Sequence, residues 1–127
     1  MKILHIDDCP QISAIFSDVL RMSDHEFEST IEGKNGLELV LKNNYDVILL
    51  DLRLPYYTGF EFLADLKSSR PSEIRKVVIV SALELEEFQI QFLKNQGVYS
   101  IHKKPISIQY LISKMMPQNL LSNIIQK

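Results

Sequence analysis

The stretch Val47-Ile48-Leu49-Leu50-Asp51 decides the fold of this chain. Four consecutive apolar side chains that end at an acid are typical of a short strand buried on both faces, as strands of a parallel sheet are. Two further runs share this character, at residues 3–6 and 77–80, and two weaker runs lie at 27–31 and 98–102. The sequence therefore predicts five buried strands.

Segments with helical spacing separate these strands. After the first strand, apolar side chains recur at the i, i+3, i+4 and i+7 positions of one helix face. They are Ile12, Ile15, Phe16 and Val19. Further helices are predicted around residues 37–41, 60–66, 84–95 and 107–115. Strict alternation of strand and helix predicts an α/β fold, a doubly wound five-stranded parallel sheet with right-handed crossovers and helices on both faces.

The composition excludes several classes of protein. Of 127 residues, 46% are hydrophobic and 24% are charged, and the formal net charge is -2. No basic stripe stands out, so direct contact with nucleic acid is not expected. The single cysteine, Cys9, excludes an internal disulfide and fits a reducing compartment. The apolar run at residues 3–6 is too short, and too soon followed by acids, to be a signal peptide, and no apolar run reaches roughly 20 residues. We therefore expect no membrane contact and predict a cytoplasmic location.

The chain length fits one domain. Pro117 should end the last helix at or before residue 116, because proline disfavours helix at the residue before it. The sequence therefore predicts a domain at residues 1–116 and a short C-terminal extension at 117–127, without an output domain. The extension is either a tail that covers part of the surface or a helix that docks a partner.

Polar residues follow the predicted strands at one edge of the sheet. Asp7 and Asp8 follow the first strand, Asp51 the third, Ser81 the fourth and Lys104 the fifth. The ligand site of an open parallel sheet lies beyond these carboxyl ends. Three crowded carboxylates repel one another, so the pKa of at least one should rise unless a cation joins them. Oxygen ligands with room for water and phosphate favour Mg²⁺ over a soft metal.

Asp51 is the candidate nucleophile. It follows the most apolar strand, where a charged side chain has no structural purpose unless it points into a site. A lone aspartate there would be interpreted as a helix cap or a loop residue, whereas three acids at strand ends favour a function. A carboxylate can attack phosphorus to form an aspartyl phosphate when charge on the equatorial oxygens is neutralised.

Lys104 and Ser81 are the candidate partners of that phosphoryl group. Pro105 restricts Lys104 to extended geometry, so its ammonium can be directed over the strand ends. Ser81 offers a hydroxyl, although a serine here can also simply begin a turn. Lys103 alternates to the other side of the chain and is expected to be a solvated surface charge.

Four motifs therefore occur in order: Asp7-Asp8, Asp51-Leu52-Arg53-Leu54-Pro55 with Gly59, Ser81-Ala82 and Lys104-Pro105. Together they resemble the receiver domain of two-component response regulators, over about residues 2–116. The resemblance implies a (βα)5 flavodoxin-like fold. It also implies phosphoryl transfer from a histidine kinase or histidine phosphotransfer protein and control of a downstream protein target. Catalysis would be limited to the protein's own phosphorylation and dephosphorylation.

The resemblance gives each acid a role. Asp51 is the expected phosphoacceptor. Asp8 and Asp51 are expected to bind Mg²⁺ directly, together with the backbone carbonyl of Arg53. Asp7 is expected to act mainly through water.

The resemblance is weakest at the switch. Ser81 and Lys104 are expected to contact the phosphoryl group, and their movement is the usual family switch. The family commonly has an aromatic residue three positions before the lysine, and here that residue is Ile101. Tyr99 and His102 are the candidate substitutes. The aromatic residue usually couples phosphorylation to the face formed by helix 4, strand 5 and helix 5, which is also a candidate homodimer surface. The sequence leaves open whether this chain has that coupling.

Other features support weaker interpretations. The loop Tyr56-Tyr57-Thr58 is bulkier than is common in the family, and it either narrows donor access or adds a docking surface. His5 lies within a buried strand and is expected to have a structural role, as are His25 and His102.

Two alternative functions stay open. One is a receiver-like docking module without phosphorylation-dependent switching, which Ile101 favours and the complete set of acids, serine and lysine opposes. The other is a phosphohydrolase with Asp51 as nucleophile. Common aspartate-based phosphatases carry a second acid two residues later, where this chain has Arg53.

Overall fold

Five β-strands and five α-helices alternate along residues 1–22 and 24–115, the part of the chain that the computed structural model describes. The strands are β1 (Lys2–Ile6), β2 (Glu26–Thr30), β3 (Val47–Leu50), β4 (Val77–Ser81) and β5 (Ser100–Lys103). The helices are α1 (Pro10–Arg21), α2 (Gly33–Lys42), α3 (Gly59–Ser69), α4 (Glu87–Gln96) and α5 (Ile108–Met115). A 3-10 helix, Pro71–Lys76, precedes β4. The predicted extension at 117–127 lies outside the described residues.

All five strands pair in parallel, in the order β2-β1-β3-β4-β5. This order is that of flavodoxin-like sheets, and it confirms the predicted doubly wound (βα)5 architecture. The order reverses between β1 and β3, which is the switch point at which such sheets bind ligands. None of the described helices has the length and apolar character needed to cross a bilayer.

Some element boundaries differ from the predicted ones. Helix α4 begins at Glu87 rather than near residue 84, because the Gln89 side chain accepts a hydrogen bond from the Glu86 amide (2.8 Å) and fixes the first turn. Strand β5 begins at Ser100, two residues later than predicted. The Tyr99 amide already donates to the carbonyl at the start of β4 (2.8 Å), so pairing begins just before the regular ladder.

The two faces of the sheet carry separate apolar clusters. Alternation along β1 directs Leu4 and Ile6 toward α2, α3 and α4, and Ile3 toward α1 and α5. Helix residues in the first cluster are Val40, Phe62, Leu63, Leu66 and Leu93, and those in the second are Phe16, Leu20 and Leu111. Each large side chain contributes about 1.5–3 kcal/mol when it is fully buried. The sheet is thus held from both sides, which fixes its strand ends.

Two strand ends lie side by side at the switch point. Ile6 of β1 pairs with Leu50 of β3. The Asp51 amide also donates to the Ile6 carbonyl (3.0 Å). Asp7 and Asp51, which come next, therefore leave the sheet as neighbours.

Gly59 begins α3 against the end of β3, where a side chain does not fit. A Cβ at this position would lie 2.7 Å from both the Asp51 carbonyl oxygen and Leu52 Cα. Gly59→Ala must therefore push α3 away from the strand end. We expect this variant to lose about 1–3 kcal/mol of unfolding free energy in urea denaturation.

Gly36→Ala in α2 is the matched control. A Cβ at Gly36 would meet the Ile6 side chain, whose Cδ1 atom would be 2.5 Å away. A side chain can turn aside where backbone cannot, so the loss should be smaller than for Gly59→Ala. A loss at Gly36 as large as that at Gly59 would contradict the backbone contact assigned to Gly59.

Candidate functional site

Three carboxylates meet beyond the ends of β1 and β3. Asp7 and Asp51 are buried, with 1% and 5% of their surfaces exposed, whereas Asp8 is exposed. One oxygen from each carboxylate lies within 4.8 Å of the others. The structure thus brings together the three acids that the sequence predicted at one edge of the sheet.

Asp51 accepts hydrogen bonds from three residues. Its Oδ1 atom accepts from the Ser81 hydroxyl (2.8 Å) and from the Arg53 amide (3.0 Å). Its Oδ2 atom accepts from Lys104 Nζ (3.0 Å). Ser81 and Lys104 therefore lie at Asp51, while Arg53 meets it through backbone and has an exposed side chain.

The Lys104 ammonium bridges the two buried acids. It lies 2.7 Å from Asp7 Oδ2 and 3.0 Å from Asp51 Oδ2. The Lys104 amide donates to the Ser81 carbonyl (2.9 Å), which fastens the lysine to the end of β4. The Lys104–Pro105 peptide bond is cis. Lys103 is exposed and pairs with a surface glutamate, as predicted for a solvated charge.

This bridge reverses the pKa shifts that burial alone would cause in Asp7 and Lys104. Burial raises the pKa of Asp7, but contact with His5, hydrogen bonds from Lys104 and the Cys9 amide, and the lysine's charge lower it to about 2. Burial lowers the pKa of Lys104, while hydrogen bonds to Asp7 and Asp51 and their charges raise it above its ordinary value. The cation that relieves crowding of the acids here is the lysine.

The donor set also suits a hard divalent cation. Ligand oxygens on opposite sides of an octahedral Mg²⁺ lie about 4.2 Å apart. The three carboxylate oxygens lie within 4.8 Å of one another, so shifts of a few tenths of an ångström would let them surround such an ion. Asp8 borders an open cleft of about 410 Å³, together with Arg53, Pro55 and Leu83. This cleft leaves room for water and for a phosphoryl group.

His5 and Ser13 adjoin the site, although the sequence indicated only a structural role for His5. His5 Nδ1 lies 3.0 Å from Ser13 Oγ, and His5 Nε2 lies 3.6 Å from Asp7 Oδ2. The signal in the sequence is strand alternation, because residues i and i+2 of an extended segment face the same side, and Asp7 directly follows β1. His5 and Asp7 are such a pair.

Ile101 lies at a cleft beside Ser81. It is half-buried and borders about 240 Å³ of space together with Ser81 and His102. Tyr99 is 57% exposed and does not line this cleft. The His102 ring packs edge-on against Tyr110, with 6.1 Å between ring centroids. Of the two candidate substitutes for an aromatic residue, His102 is the one at the cleft.

The loop after Pro55 divides its two tyrosines between core and solvent. Tyr57 is buried, and its hydroxyl donates to Asp65. Tyr56 is fully exposed and has a left-handed φ of 67°. This conformation is rare for a bulky residue. Tyr56 is therefore the tyrosine of this loop that another molecule can contact.

The lowered pKa of Asp7 predicts how the free energy of unfolding depends on pH in acid. Because its folded pKa is about 2, below the ordinary 3.8, its contribution is complete above 3.8 and is lost as the pH falls toward 2. Parent protein in chelator should lose about 2 kcal/mol more unfolding free energy over this interval than Asp7→Asn. Urea denaturation at several pH values measures the difference.

Asp8→Asn is the control for that measurement. This variant removes the exposed acid of the cluster but keeps the contact between Lys104 and Asp7, so its loss of unfolding free energy over this interval should stay larger than that of Asp7→Asn. Equal slopes for the parent and Asp7→Asn would contradict the lowered pKa of Asp7.

The chain is similar to proteins of one family. The family model for the response regulator receiver domain matches residues 3–116. The chemotaxis protein CheY of Listeria monocytogenes is 28% identical over 118 residues, covering 91% of this chain and 95% of that protein. Sporulation initiation phosphotransferase F of Bacillus subtilis is 28% identical over 119 residues, covering 91% and 94%.

Other relatives are longer than this chain. Protein-glutamate methylesterase/protein-glutamine glutaminase 2 of Methanosarcina acetivorans is 33% identical over 123 residues, which are 93% of this chain and 32% of that protein. The chain spans 32% to 51% of the length of several such relatives. The activities named for these relatives are properties of those longer proteins.

A solved structure agrees with the sequence matches. The receiver domain of the Francisella response regulator 1452 superimposes with a TM-score of 0.78 and 30% identity, covering 98% of each chain. Its fold is the one found here, and the family match covers nearly all of the described residues. This chain belongs to the response regulator receiver domain family.

Proposed function

We propose that this receiver domain takes a phosphoryl group onto the Asp51 carboxylate and thereby switches a partner protein in a two-component phosphorelay. One observation carries the proposal: the Ser81 hydroxyl and Lys104 ammonium converge on Asp51, at 2.8 and 3.0 Å. Both groups are donors that can stabilise the charge of phosphoryl oxygens. Phosphoryl transfer depends mainly on such positioned charge.

The transfer breaks one bond and forms another. A phosphohistidine donor loses its P–N bond, an Asp51 oxygen forms a P–O bond to the same phosphorus, and the freed imidazole takes up a proton from solvent. Negative charge then lies on the phosphoryl oxygens. Lys104 and Ser81 must turn from the carboxylate toward these oxygens, so the transfer rearranges the contacts of the resting site.

Asp8, Asp51 and the backbone carbonyl of Arg53 would bind Mg²⁺ directly, and Asp7 would act mainly through water. When bound, the ion neutralises charge on the phosphoryl oxygens. The oxygen donor set and the cleft beside Asp8 support this assignment. These residues would hold the positive charge of the ion next to the acceptor oxygen and within reach of solvent.

The proposed partners are a histidine kinase or histidine phosphotransfer protein as donor and a protein as downstream target. We assign no activity on a separate substrate and no direct contact with nucleic acid. The face formed by α4, β5 and α5 is the candidate surface for the target or for a homodimer. It is supported by exposed aromatic residues on or beside these elements: Phe88, Phe92, Tyr99 and Tyr110. The cytoplasmic location stays a prediction from the sequence.

A docking module without switching is the second candidate. The observation that favours it is the cleft of about 240 Å³ beside Ile101. An aromatic side chain that could couple Ser81 to the α4-β5-α5 face is lacking at this position. The two candidates differ in one respect that is simple to measure, namely whether Asp51 becomes phosphorylated.

We expect the parent protein to gain the mass of one phosphoryl group when it is incubated with acetyl phosphate and Mg²⁺. The gain should disappear in Asp51→Asn, because the amide is a far poorer nucleophile than the carboxylate. It should also disappear when a chelator removes the metal, because the charge of the transferring group is then unbalanced. Intact-mass spectrometry follows both effects.

Asp46→Asn is the matched control. Asp46 is an exposed acid directly before β3, at the opposite end of the strand from Asp51, so its replacement should leave the mass gain unchanged. No gain in the folded parent would leave the docking module as the better account. A full gain in Asp51→Asn would place the acceptor on another residue.

A further inference from the structure

His5 is a polar residue in an apolar cluster. Only 2% of its surface is exposed. Its ring packs against Phe16 and Phe27, with centroid distances of 5.0 and 6.0 Å. A phenylalanine at this position could pack against the same two rings. The two ring nitrogens therefore need an explanation of their own.

The first nitrogen is held by α1. His5 Nδ1 lies 3.0 Å from the hydroxyl oxygen of Ser13, which is itself buried. A hydroxyl can donate or accept, so this contact alone does not choose the tautomer. The second nitrogen does, because Nε2 faces a carboxylate oxygen. A bare lone pair there would be repelled, so a neutral His5 carries its proton on Nε2 while Ser13 donates to Nδ1.

The second nitrogen points at an oxygen that already has a partner. His5 Nε2 lies 3.6 Å from Asp7 Oδ2, which is longer than an N–H···O hydrogen bond. That oxygen accepts from Lys104 Nζ at 2.7 Å, and Asp7 Oδ1 accepts from the Cys9 amide at 3.0 Å. In the resting site His5 is therefore adjacent to Asp7 but not bonded to it.

The position of His5 becomes important when Lys104 moves. This step rests on the proposed function, in which the ammonium turns to a phosphoryl group on Asp51. Asp7 is only 1% exposed, and a buried carboxylate oxygen without a donor is costly. His5 Nε2 lies 3.6 Å from that oxygen, a few tenths of an ångström beyond hydrogen-bonding distance.

We propose that His5 is a positioning residue that takes over Asp7 Oδ2 when Lys104 leaves it. The Ser13 hydroxyl holds the ring at Nδ1, the Nε2–H group closes on the Asp7 oxygen, and Asp7 keeps its orientation toward the metal-binding side. Receiver switching in this chain then has a resting contact, Lys104 to Asp7, and an activated contact, His5 to Asp7.

The first test needs neither metal nor phosphate. In chelator, Lys104→Ala removes the resting partner, so His5 should bond to Asp7 and its ring Hε2 resonance in ¹H–¹⁵N NMR should move downfield from the parent's. His5→Phe identifies that resonance by its loss. Lys103→Ala removes the neighbouring exposed lysine and should leave it in place. An unshifted resonance in Lys104→Ala would overturn the proposal, whether or not Asp51 accepts phosphate.

The second test uses beryllofluoride with Mg²⁺ as a phosphoryl mimic. In the parent, binding should move the same resonance downfield. His5→Phe should weaken beryllofluoride binding roughly tenfold, the effect of one hydrogen bond to a charged group. His5→Gln keeps an N–H group of similar reach and should restore most of the affinity.

The outcomes separate the two proposals. Equal beryllofluoride affinity in the parent and His5→Phe would overturn the role of His5 and leave the proposed function standing. No beryllofluoride binding by the parent would overturn both. If His5→Phe does not fold, the resonance shift in the parent still decides the matter.

Discussion

The Lys104 ammonium between Asp7 and Asp51 is the contact on which the rest of the site depends. Two buried carboxylates at neighbouring strand ends would otherwise repel, and burial would favour their neutral forms. The lysine lies 97 residues from Asp7 in sequence, so this one group joins the end of the last strand to that of the first. A buried charge is tolerated when it is paired and hydrogen-bonded. Under the proposed function the same pairing also makes the site responsive, because an arriving phosphoryl group would compete with both carboxylates for the ammonium.

The sheet makes this contact possible. The order β2-β1-β3-β4-β5 puts the ends of β1 and β3 side by side, and the clusters on both faces hold them there. Asp7 and Asp51 thus leave rigid strands rather than mobile loops. Asp8, one residue further along, is exposed and can meet an incoming cation. Burial therefore distinguishes Asp7 from Asp8, although the two residues adjoin in sequence.

The fold could be predicted because its signals are local. The run 47–50 is buried on both faces and ends at an acid, and this pattern alone indicates a parallel strand with a site at its end. The start of α4 could not be predicted, because a hydrogen bond from the Glu86 amide to the Gln89 side chain determines it. The sequence predicted which residues meet at this edge of the sheet but not which of them contact one another. The sequence does not show that Lys104 itself supplies the cation, because that contact depends on distances between elements. The proximity of His5 to Asp7 was not predicted, although strand alternation indicates it.

The central claim is that Asp51 carries the phosphoryl group. Borohydride reduces an acyl phosphate to a primary alcohol and converts the phosphorylated aspartate to homoserine. The protein is treated with acetyl phosphate and Mg²⁺, reduced, digested and mapped by tandem mass spectrometry. The account predicts homoserine in place of Asp51 and unchanged acids at Asp7 and Asp8. Homoserine at either of those two positions, or at none of the three in the phosphorylated protein, would contradict it.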